Sequence, residues 1–213
     1  MILRQIERLR HSKEIDRLLV ATSTQETDDA LVRVLEQNGV EVRRGPLNDV
    51  AQRFANVIDE LKPEAVVRLT ADCPLADPEI IDALIISHRE SGADYTSNTL
   101  EPTYPHGLDA EVFSPAAFEI LRSTPMSDKE IEHVTYGLYS RAGAFTLNSY
   151  RQSENVRELR WTVDNPEDLE FVRKVYERLY DANPQFNQQD ILRLIRNEPA
   201  LRYTEEMSAR QAR

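Results

Sequence analysis

The sequence predicts an α/β fold with a mostly parallel central sheet and a partly antiparallel insertion. Two observations indicate this fold. Strand-like and helix-like segments alternate through the first half of the chain, which is the pattern of βαβ units. The second half interrupts the alternation with two strand-like segments that flank the turn-rich sequence EPTYPHG. The 213 residues are enough for one domain with a sizeable core.

The first half supplies three strands and the helices around them. The chain opens in an amphipathic helix, because Ile2, Ile6 and Leu9 recur at helical spacing. We expect the basic residues of this helix, Arg4, Arg8 and Arg10, to face solvent. Runs of strand-forming residues predict strands at 15–22, 40–44 and 65–70, and amphipathic patterns predict helices at 28–37, with Leu31, Val34 and Leu35 inward, and at 50–61.

The second half mixes extended segments with capped helices. Asp77 is suited to cap a helix whose first position is Pro78. We assign residues 1–200 to a single domain and expect residues 201–213 to form a frayed C-terminal tail. Extended segments are predicted at 94–99, 109–114, 144–150 and 158–163, and further helices at the Ser127 to Glu130 capping box, from Asn165-Pro166 onward, and around Ile191, Leu192 and Ile195.

Composition and charge exclude several classes of protein. Acidic residues outnumber basic ones by 37 to 26, which gives a net charge of −11 and argues against general nucleic-acid binding. The single cysteine excludes an internal disulfide and a cysteine-built metal site. No apolar run approaches the length of a membrane span, and the charged N-terminus is not a signal peptide. We therefore predict a cytoplasmic protein without nucleic-acid or membrane partners.

Two aspartates stand where a ligand of an open α/β sheet would bind. Such ligands lie beyond the carboxyl ends of the strands, and Asp72 and Asp164 directly follow the predicted strands at 65–70 and 158–163. Two bare carboxylates repel each other unless a cation neutralises them, and beside substrate phosphates that cation is usually Mg²⁺. The pattern alone leaves a structural alternative open, because an Asp before a helix proline is often only an N-cap.

Two further residues allow both a chemical and a structural interpretation. Cys73 follows a strand end and has no histidine near it in sequence, so a small buried residue is favoured over a nucleophile. His133, in the sequence EHVT, either binds a ligand hydroxyl or carboxylate, or is a helix-buried histidine with one satisfied hydrogen bond.

Several motifs, in order along residues 1 to about 180, together resemble one protein family. The sequence is similar to the cytidylyltransferases of acidic sugars, in particular the spore-coat polysaccharide (SpsF-like) branch related to the acylneuraminate and 3-deoxy-manno-octulosonate enzymes. The motifs are RRGPLNDVAQRF, RLTADCPLADPEII, DYTSNT, PTYPHGLDAEVFS, EHVT and LRWTVDNPEDLEFVRKVYERL. Their coincidence is far more specific than any one motif alone.

The resemblance implies a fold, a reaction and a set of site residues. The fold is the three-layer nucleotide-diphospho-sugar transferase (glycosyltransferase-A-like) fold. The reaction joins a sugar hydroxyl to the α-phosphate of CTP and releases pyrophosphate, with an acidic or amino sugar as acceptor. Relatives pair as homodimers through the segment matching 94–150. The implied ligands are Asp72 and Asp164 for Mg²⁺; Thr22, Ser23, Arg68 and Thr70 for the nucleotide; and Tyr104, Gly107, Asp109, Glu111, Glu132 and His133 for the sugar.

The sequence departs from the family pattern at its start. The family begins with a buried strand and a loop bearing glycine, arginine and lysine that grips the triphosphate, whereas this sequence opens on the helix expected after that loop. We therefore expect residues 1–213 to lack that strand and loop, to bind CTP weakly or not at all, and to be inactive as they stand. The alternative hypothesis is a non-catalytic homologue that binds a sugar or contacts another subunit.

Overall fold

The elements of the fold are ten α-helices and six strands within residues 1–211, which are the residues that the computed structural model describes. The strands are β1 (Leu19–Ser23), β2 (Glu41–Gly45), β3 (Val66–Arg68), β4 (Tyr95–Ser97), β5 (Glu111–Phe113) and β6 (Leu147–Ser149). The helices are α1 (Ile2–Leu9), α2 (Asp29–Gln37), α3 (Val50–Leu61), α4 (Pro78–Ser91), α5 (Pro115–Arg122), α6 (Asp128–Glu132), α7 (Tyr136–Ser140), α8 (Pro166–Leu179), α9 (Gln188–Asn197) and α10 (Glu205–Gln211).

The strands form two sheets. β1 and β2 pair in parallel, while the other sheet has the order β3–β5–β4–β6. In this second sheet β5 runs antiparallel to β3 and β4, and β4 runs parallel to β6. The predicted α/β class is confirmed, but the sheet is more mixed than expected because β5 returns alongside β4 and lies between it and β3. Within residues 1–211, β1 and β3 each have one strand partner.

Helices cover both faces of the mixed sheet, which gives three layers. Successive side chains of a strand point to opposite faces, and β5 shows this clearly. Val112 packs with Leu9 of α1 and Leu84 of α4 on one face. Phe113 packs with Phe118 of α5 and the alanines of α3 on the other. Helix α1 also reaches the smaller sheet, because Ile6 joins the cluster around β1 and β2.

A third packed region stands beside the sheet and contains α8 and α9. Trp161 is fully buried there in a cluster with Phe171 of α8, Ile191 of α9 and Phe186, which lies just before α9. Burying side chains of this size contributes about 2–3 kcal/mol each relative to exposure. This region fixes the position of the extended segment 158–163, which leads into Asp164.

The segment 158–163 is not a strand, although we expected it to be one. Three of its backbone N–H groups donate to three separate segments. The N–H of Arg160 donates to the carbonyl of Tyr203 at 3.0 Å, and that of Trp161 to the carbonyl of His106 at 2.6 Å. The N–H of Val163 donates to the carbonyl of Asp72 at 2.9 Å. A ladder needs consecutive pairing to one neighbour. Extended backbone here instead joins three separate parts of the chain.

The expectation of a frayed tail is wrong for residues 201–211. Leu201 and Tyr203 are buried, and α10 follows them. The Tyr203 ring stacks on Phe171 with 6.0 Å between ring centroids. Residues 212–213 lie outside the described part of the chain. The apolar anchors at 201 and 203 explain why this segment is docked.

Two expectations for individual helices are also wrong. Arg8 of α1 is buried, because its guanidinium turns inward and donates to the backbone carbonyls of Ala76 and Phe186. On α2, Val34 is 43% exposed, whereas Val32 and Leu35 are buried. Among residues 1–211, no helix has the length and apolar character to cross a bilayer.

Candidate active site

Asp72 lies in the turn that follows β3. The turn runs through buried Cys73 and Pro74 to Asp77, whose side chain caps α4 by accepting the N–H of Glu79 at 3.0 Å. The half-buried Asp72 carboxylate contacts the thiol of Cys73, with 3.3 Å between Oδ1 and Sγ. Burial raises the pKa of the Cys73 thiol well above its ordinary value, and the Asp72 charge raises it further. The interpretation of Cys73 as a buried residue is confirmed.

Asp164 lies in the turn between the segment 158–163 and α8. Asn165 and Asp168 form a capping box, in which the Asn165 side chain accepts the N–H of Asp168 at 3.0 Å. Asp168 Oδ2 accepts the N–H of Asp164 at 2.8 Å and that of Asn165 at 3.1 Å. The N-cap of α8 is therefore Asn165, and the carboxylate of Asp164 is left for other contacts.

A backbone hydrogen bond joins the two turns. The N–H of Val163 donates to the carbonyl oxygen of Asp72 at 2.9 Å, and the Thr162 hydroxyl contacts the same oxygen at 3.4 Å. Asp164 is the next residue along the chain. The structure thus brings the two predicted metal ligands to one edge of the fold, although they come from distant parts of the sequence.

The Asp164 carboxylate is held by a buried arginine. Arg160, which is 7% exposed, donates from Nη2 to Asp164 Oδ2. The same guanidinium donates from Nε and Nη2 to both oxygens of Asp168, at 2.9 and 3.0 Å, and from Nη1 to Glu205 Oε2 at 3.1 Å. Its hydrogen bonds, foremost the one to Asp168, raise the pKa of Arg160. One cation faces three carboxylates, so the surroundings of Asp164 stay net negative.

The carboxylates of Asp72 and Asp164 fit a hard divalent cation that also binds phosphates. Within residues 1–211, no group of three or more His, Cys, Asp or Glu side chains is placed to hold a metal by itself. Mg²⁺ usually takes one or two carboxylates and completes its shell with water and substrate phosphates. Asp72 is half-buried and the Asp164 side chain is 57% exposed, so each can present an oxygen to such an ion.

A cavity of about 530 Å³ opens beside the two turns. It is lined mainly by apolar side chains, including Pro74, Val163, Val172 and Tyr176. The two aspartates are not among its lining residues. The two aspartates therefore lie on the surface that the two turns share, next to the cavity.

The predicted nucleotide residues at the end of β1 bind an acidic side chain of their own chain. The hydroxyls of Thr22 and Ser23 donate to Asp28 Oδ2 at 2.7 and 2.6 Å, and the N–H of Ser23 donates to the same oxygen at 3.0 Å. The bonds from Ser23, then Thr22, lower the pKa of Asp28. Arg44 of β2 donates to the Ser23 carbonyl oxygen at 2.8 Å. Thr22 and Ser23 are thus both buried, and their hydroxyls are already bonded within the protein.

Thr70 is the predicted nucleotide residue nearest to Asp72 in sequence. Its side chain is exposed, and its hydroxyl lies 3.4 Å from the sulfur of Cys73. Its carbonyl oxygen accepts Nε2 of Gln5 in α1 at 2.8 Å. Helix α1 therefore braces the strand end that leads into the Asp72 turn.

Glu111 faces the interior, whereas we expected it to contact a sugar. Its Oε1 accepts the hydroxyls of Tyr95 and Thr135, each at 2.6 Å, and its Oε2 accepts Nη1 of Arg68. Burial, then the Glu111 charge, raises the pKa of Tyr95. Both carboxylate oxygens are thus bonded within the protein. Arg68, the predicted nucleotide residue on β3, is held in place by this contact and keeps 19% of its side chain exposed.

The segment 104–109 contacts both the core and the segment 158–163. Tyr104 is 5% exposed and stacks on Tyr150 at 6.2 Å between ring centroids, so it belongs to the core rather than to a ligand surface. Gly107 has φ of +107°, and an added Cβ would lie 2.3 Å from the backbone nitrogen of Thr162, so glycine is required there. Asp109 is half-buried and ion-paired with Arg157 at 2.6 Å.

Glu132 and His133 lie at the end of α6 and are both exposed. The helix-buried alternative for His133 is therefore wrong. The next residue, Val134, is buried with φ of +50°, which is a strained conformation for a β-branched residue. Thr135 follows and reaches the Glu111 carboxylate. The strained link carries the chain from the exposed end of α6 into the buried network around Glu111.

Comparison with known proteins assigns this arrangement to a family. A family model described as cytidylyltransferase matches residues 1–197. The chain belongs to the cytidylyltransferase family. It is therefore a nucleotidyltransferase. The spore coat polysaccharide biosynthesis protein SpsF of Bacillus subtilis (strain 168) is 31% identical over 192 residues, which cover 89% of this chain and 78% of that protein.

Two further relatives support the same family. A solved cytidylyltransferase from Leptospira borgpetersenii serovar Hardjo-bovis (strain JB197) superposes with a TM-score of 0.88 at 27% identity, covering 94% of this chain and 85% of that one. The 3-deoxy-manno-octulosonate cytidylyltransferase of Anaeromyxobacter dehalogenans (strain 2CP-C) is 35% identical over 88 residues, which cover 40% of this chain and 35% of that protein. The cytidylyltransferase resemblance seen in the sequence motifs is confirmed.

Sequence reasoning missed the support around Asp164 in this cytidylyltransferase. Asp168 could have been found, because Asn165-Pro166 followed by an acidic residue at the third helical position is the pattern of a capping box. Glu205 gave no such signal, since its contact with Arg160 spans 45 residues of sequence. His106, which contacts Glu205 through Nδ1, gave none either.

Proposed function

We propose that this chain transfers the cytidylyl group of CTP to a sugar, releases pyrophosphate and uses Mg²⁺ held by Asp72 and Asp164. The observation that carries the proposal is the hydrogen bond between the Val163 N–H and the Asp72 carbonyl, which brings the two aspartate turns to one edge. Membership of the cytidylyltransferase family supports CTP as the nucleotide. The similarity to SpsF supports a sugar destined for a surface polysaccharide.

In this reaction a sugar hydroxyl attacks the α-phosphorus and pyrophosphate leaves. Such transfers depend on positioning and charge neutralisation more than on covalent chemistry, so no side-chain nucleophile is required. A bound divalent ion would supply Lewis-acid polarisation of the phosphate. Asp72 and Asp164 would hold that ion, and the end of β1 with Thr22 and Ser23 would face the nucleotide. We assign Asp109, Glu132 and His133 to the acceptor side.

Arg68 has a defined role in this proposal. It would offer a positive charge to the nucleotide from the end of β3, and Glu111 would hold its guanidinium at the required place through Nη1. Glu111 is then a positioning residue rather than a sugar ligand, because donors of the protein already occupy both of its oxygens. Tyr104 and Gly107 are similarly assigned to the packing of the segment 104–109 rather than to sugar binding.

Calorimetric titration of CTP in the presence and absence of Mg²⁺ tests the proposal. We expect weak binding, so the titration extends to millimolar CTP, and we expect Mg²⁺ to strengthen it. Asp72→Asn and Asp164→Asn should each abolish that strengthening. Asp59→Asn, which changes an exposed carboxylate on α3, is the matched control and should behave as wild type.

The same titration, repeated with an acidic sugar in place of CTP, separates the two hypotheses for the function. Equal CTP affinity with and without Mg²⁺ in wild type would contradict the proposed metal site. A wild-type chain that binds an acidic sugar but neither CTP nor Mg²⁺ would support the alternative, a non-catalytic sugar-binding or subunit-interaction module. A homodimer through residues 94–150 stays a prediction, which sedimentation equilibrium would test.

A further inference from the structure

The C-terminal segment 201–208 contacts the chain next to the Asp164 turn. We call it the C-terminal brace. Its Tyr203 carbonyl accepts the N–H of Arg160 at 3.0 Å, and the N–H of Glu205 donates to the Glu158 carbonyl at 3.0 Å. At its far end the Ser208 hydroxyl accepts the side-chain amide of Asn165 at 3.0 Å. The C-terminal brace therefore touches the chain on both sides of Asp164.

Glu205 completes the set of carboxylates around Arg160. Arg160 donates from Nε and Nη2 to Asp168. Nη2 also donates to Asp164 Oδ2, and Nη1 donates to Glu205. With each nitrogen bonded, the planar guanidinium has one orientation. The contacts of Arg160 with Asp168 and Glu205 therefore fix the position of Nη2, the atom that donates to Asp164.

We propose that Glu205 of the C-terminal brace is a positioning residue for the metal site: acting through Arg160, it fixes the carboxylate of Asp164 so that Oδ1 faces the divalent cation. This inference rests on the proposed function, because it assumes that Asp164 is a metal ligand. Glu205 lies outside residues 1 to about 180, which the sequence motifs cover. The inference therefore assigns a role in the site to the C-terminal brace.

Two physical effects give the proposal its direction. In Glu205→Gln, Nη1 of Arg160 loses its charged partner and keeps only neutral ones, the amide oxygen at 205 and Nδ1 of His106 at 3.3 Å. It can then turn to the free oxygen of Asp164, since an arginine and a carboxylate favour two parallel hydrogen bonds. Arg160 would then compete with the cation for the same oxygen. In addition, the cluster loses one of its three negative charges, which weakens attraction of any cation. Both effects lower metal affinity.

The chain offers a matched control for this contact. Glu158 forms an ion pair with Arg202 at 2.7 Å, with both side chains about half-exposed. That pair also ties the C-terminal brace to the segment 158–163, but it does not touch Arg160. Glu158→Gln therefore removes a comparable anchoring contact and leaves the Arg160 cluster intact.

Binding of Mn²⁺, used as a paramagnetic substitute for Mg²⁺, is measured by electron paramagnetic resonance in the full chain with CTP present. We expect Glu205→Gln to weaken Mn²⁺ binding about tenfold, in the range for residues that orient metal ligands. Glu158→Gln should leave the affinity unchanged.

The outcomes distinguish this inference from the proposed function. If wild type binds Mn²⁺ and Glu205→Gln binds it equally well, the inference is wrong and the metal site stands. Equal weakening by Glu205→Gln and Glu158→Gln would also overturn it, since docking alone would then explain the effect. If wild type with CTP binds no Mn²⁺, both the metal site and this inference fail. Thermal melting confirms that each variant is folded at the temperature used.

Discussion

Two buried arginines support the two aspartate turns, and they do so in opposite ways. Arg8 is 3% exposed and donates to two backbone carbonyls, to that of Ala76 at 2.8 Å and to that of Phe186 at 2.8 Å. Arg160 is 7% exposed and donates to three carboxylates. Burial lowers the pKa of Arg8, whereas the hydrogen bond to Asp168 leads the causes that raise the pKa of Arg160.

The difference shows two ways to place a carboxylate at a sheet edge. The Asp72 turn is held through its backbone, because Arg8 bonds the carbonyl of Ala76 and Gln5 bonds that of Thr70. Within residues 1–211, no arginine bonds the Asp72 carboxylate, whose contact is with the Cys73 thiol. The Asp164 carboxylate is itself bonded by Arg160 and shares one oxygen with it. Asp72 is therefore the freer ligand for a cation, and Asp164 is the more closely oriented one.

The largest expected effect is on catalysis. In a protein that also carries the triphosphate-binding strand and loop of the family, we expect Asp72→Asn to lower kcat for pyrophosphate release about 1000-fold, or roughly 4 kcal/mol, because the metal ion that neutralises the transition state loses its freer ligand. Asp164→Asn should cost less, about 100-fold, since Arg160 already offsets part of its charge. Asp59→Asn is the control for both. A larger loss for Asp164→Asn would reverse the ranking of the two ligands.

The next effect is on stability. Arg160→Met should lower the free energy of unfolding by about 3–5 kcal/mol, because it leaves the buried carboxylate of Asp168 without its cation. Arg8→Met should cost about 1 kcal/mol, since two carbonyls lose a donor but a buried charge without an ionic partner is removed. Urea denaturation followed by circular dichroism measures both. Equal losses would contradict the contrast between the two arginines.

Local signals in the sequence predicted much of the fold. The predicted caps at Asp77 and Ser127 both form as hydrogen bonds in the structure, because a cap depends only on residues two or three positions away. The order of helices and strands follows for the same reason. Strand pairing was less predictable: the insertion of β5 between β3 and β4 depends on which edges meet in space.

Burial of polar side chains was the main failure of prediction. Arg8 is a charged residue on an amphipathic helix, and its partners Ala76 and Phe186 are 68 and 178 residues away in the sequence. The family resemblance implied that Glu111 binds a sugar, yet the hydroxyls of Tyr95 and Thr135 donate to its carboxylate inside the protein. Long-range partners decide such cases, and one sequence does not reveal them.

A smaller effect concerns the pH dependence of stability. Burial alone would raise the pKa of Asp168, but the hydrogen bonds from Arg160 and from the backbone amides of Asp164 and Asn165 hold it below its ordinary value. A lowered pKa in the folded state means that this stabilisation is present above about pH 4, the unfolded value, and is lost as pH falls through the folded value. Asp168→Asn should therefore destabilise the protein at pH 7 and progressively less toward pH 3.

The control for this pH effect lies on the same helix. Glu170 also has a lowered pKa, from its hydrogen bond with Lys174, but the pair is exposed. Glu170→Gln should barely change the free energy of unfolding at either pH, because exposed ion pairs contribute little. Thermal melts of the three proteins between pH 3 and pH 7 measure the difference. If Asp168→Asn lowered the free energy of unfolding equally at every pH in this range, the negative charge of Asp168 would not be what stabilises its contact with Arg160.

The smallest expected effect concerns Cys73, which separates the free carboxylate of Asp72 from the core. Its thiol is 4% exposed, and burial, then the Asp72 charge, raises its pKa. Since the thiolate is the reactive form, iodoacetamide at pH 8 should label the folded chain far more slowly than the chain in urea. Cys73→Ala should change kcat by less than about threefold, because an S–H group is only a weak hydrogen-bond donor to Asp72. Rapid labelling of the folded chain would mean that the Asp72 turn opens readily, and the backbone support from Arg8 and Gln5 would then be weaker than the side-chain support that Arg160 gives to Asp164.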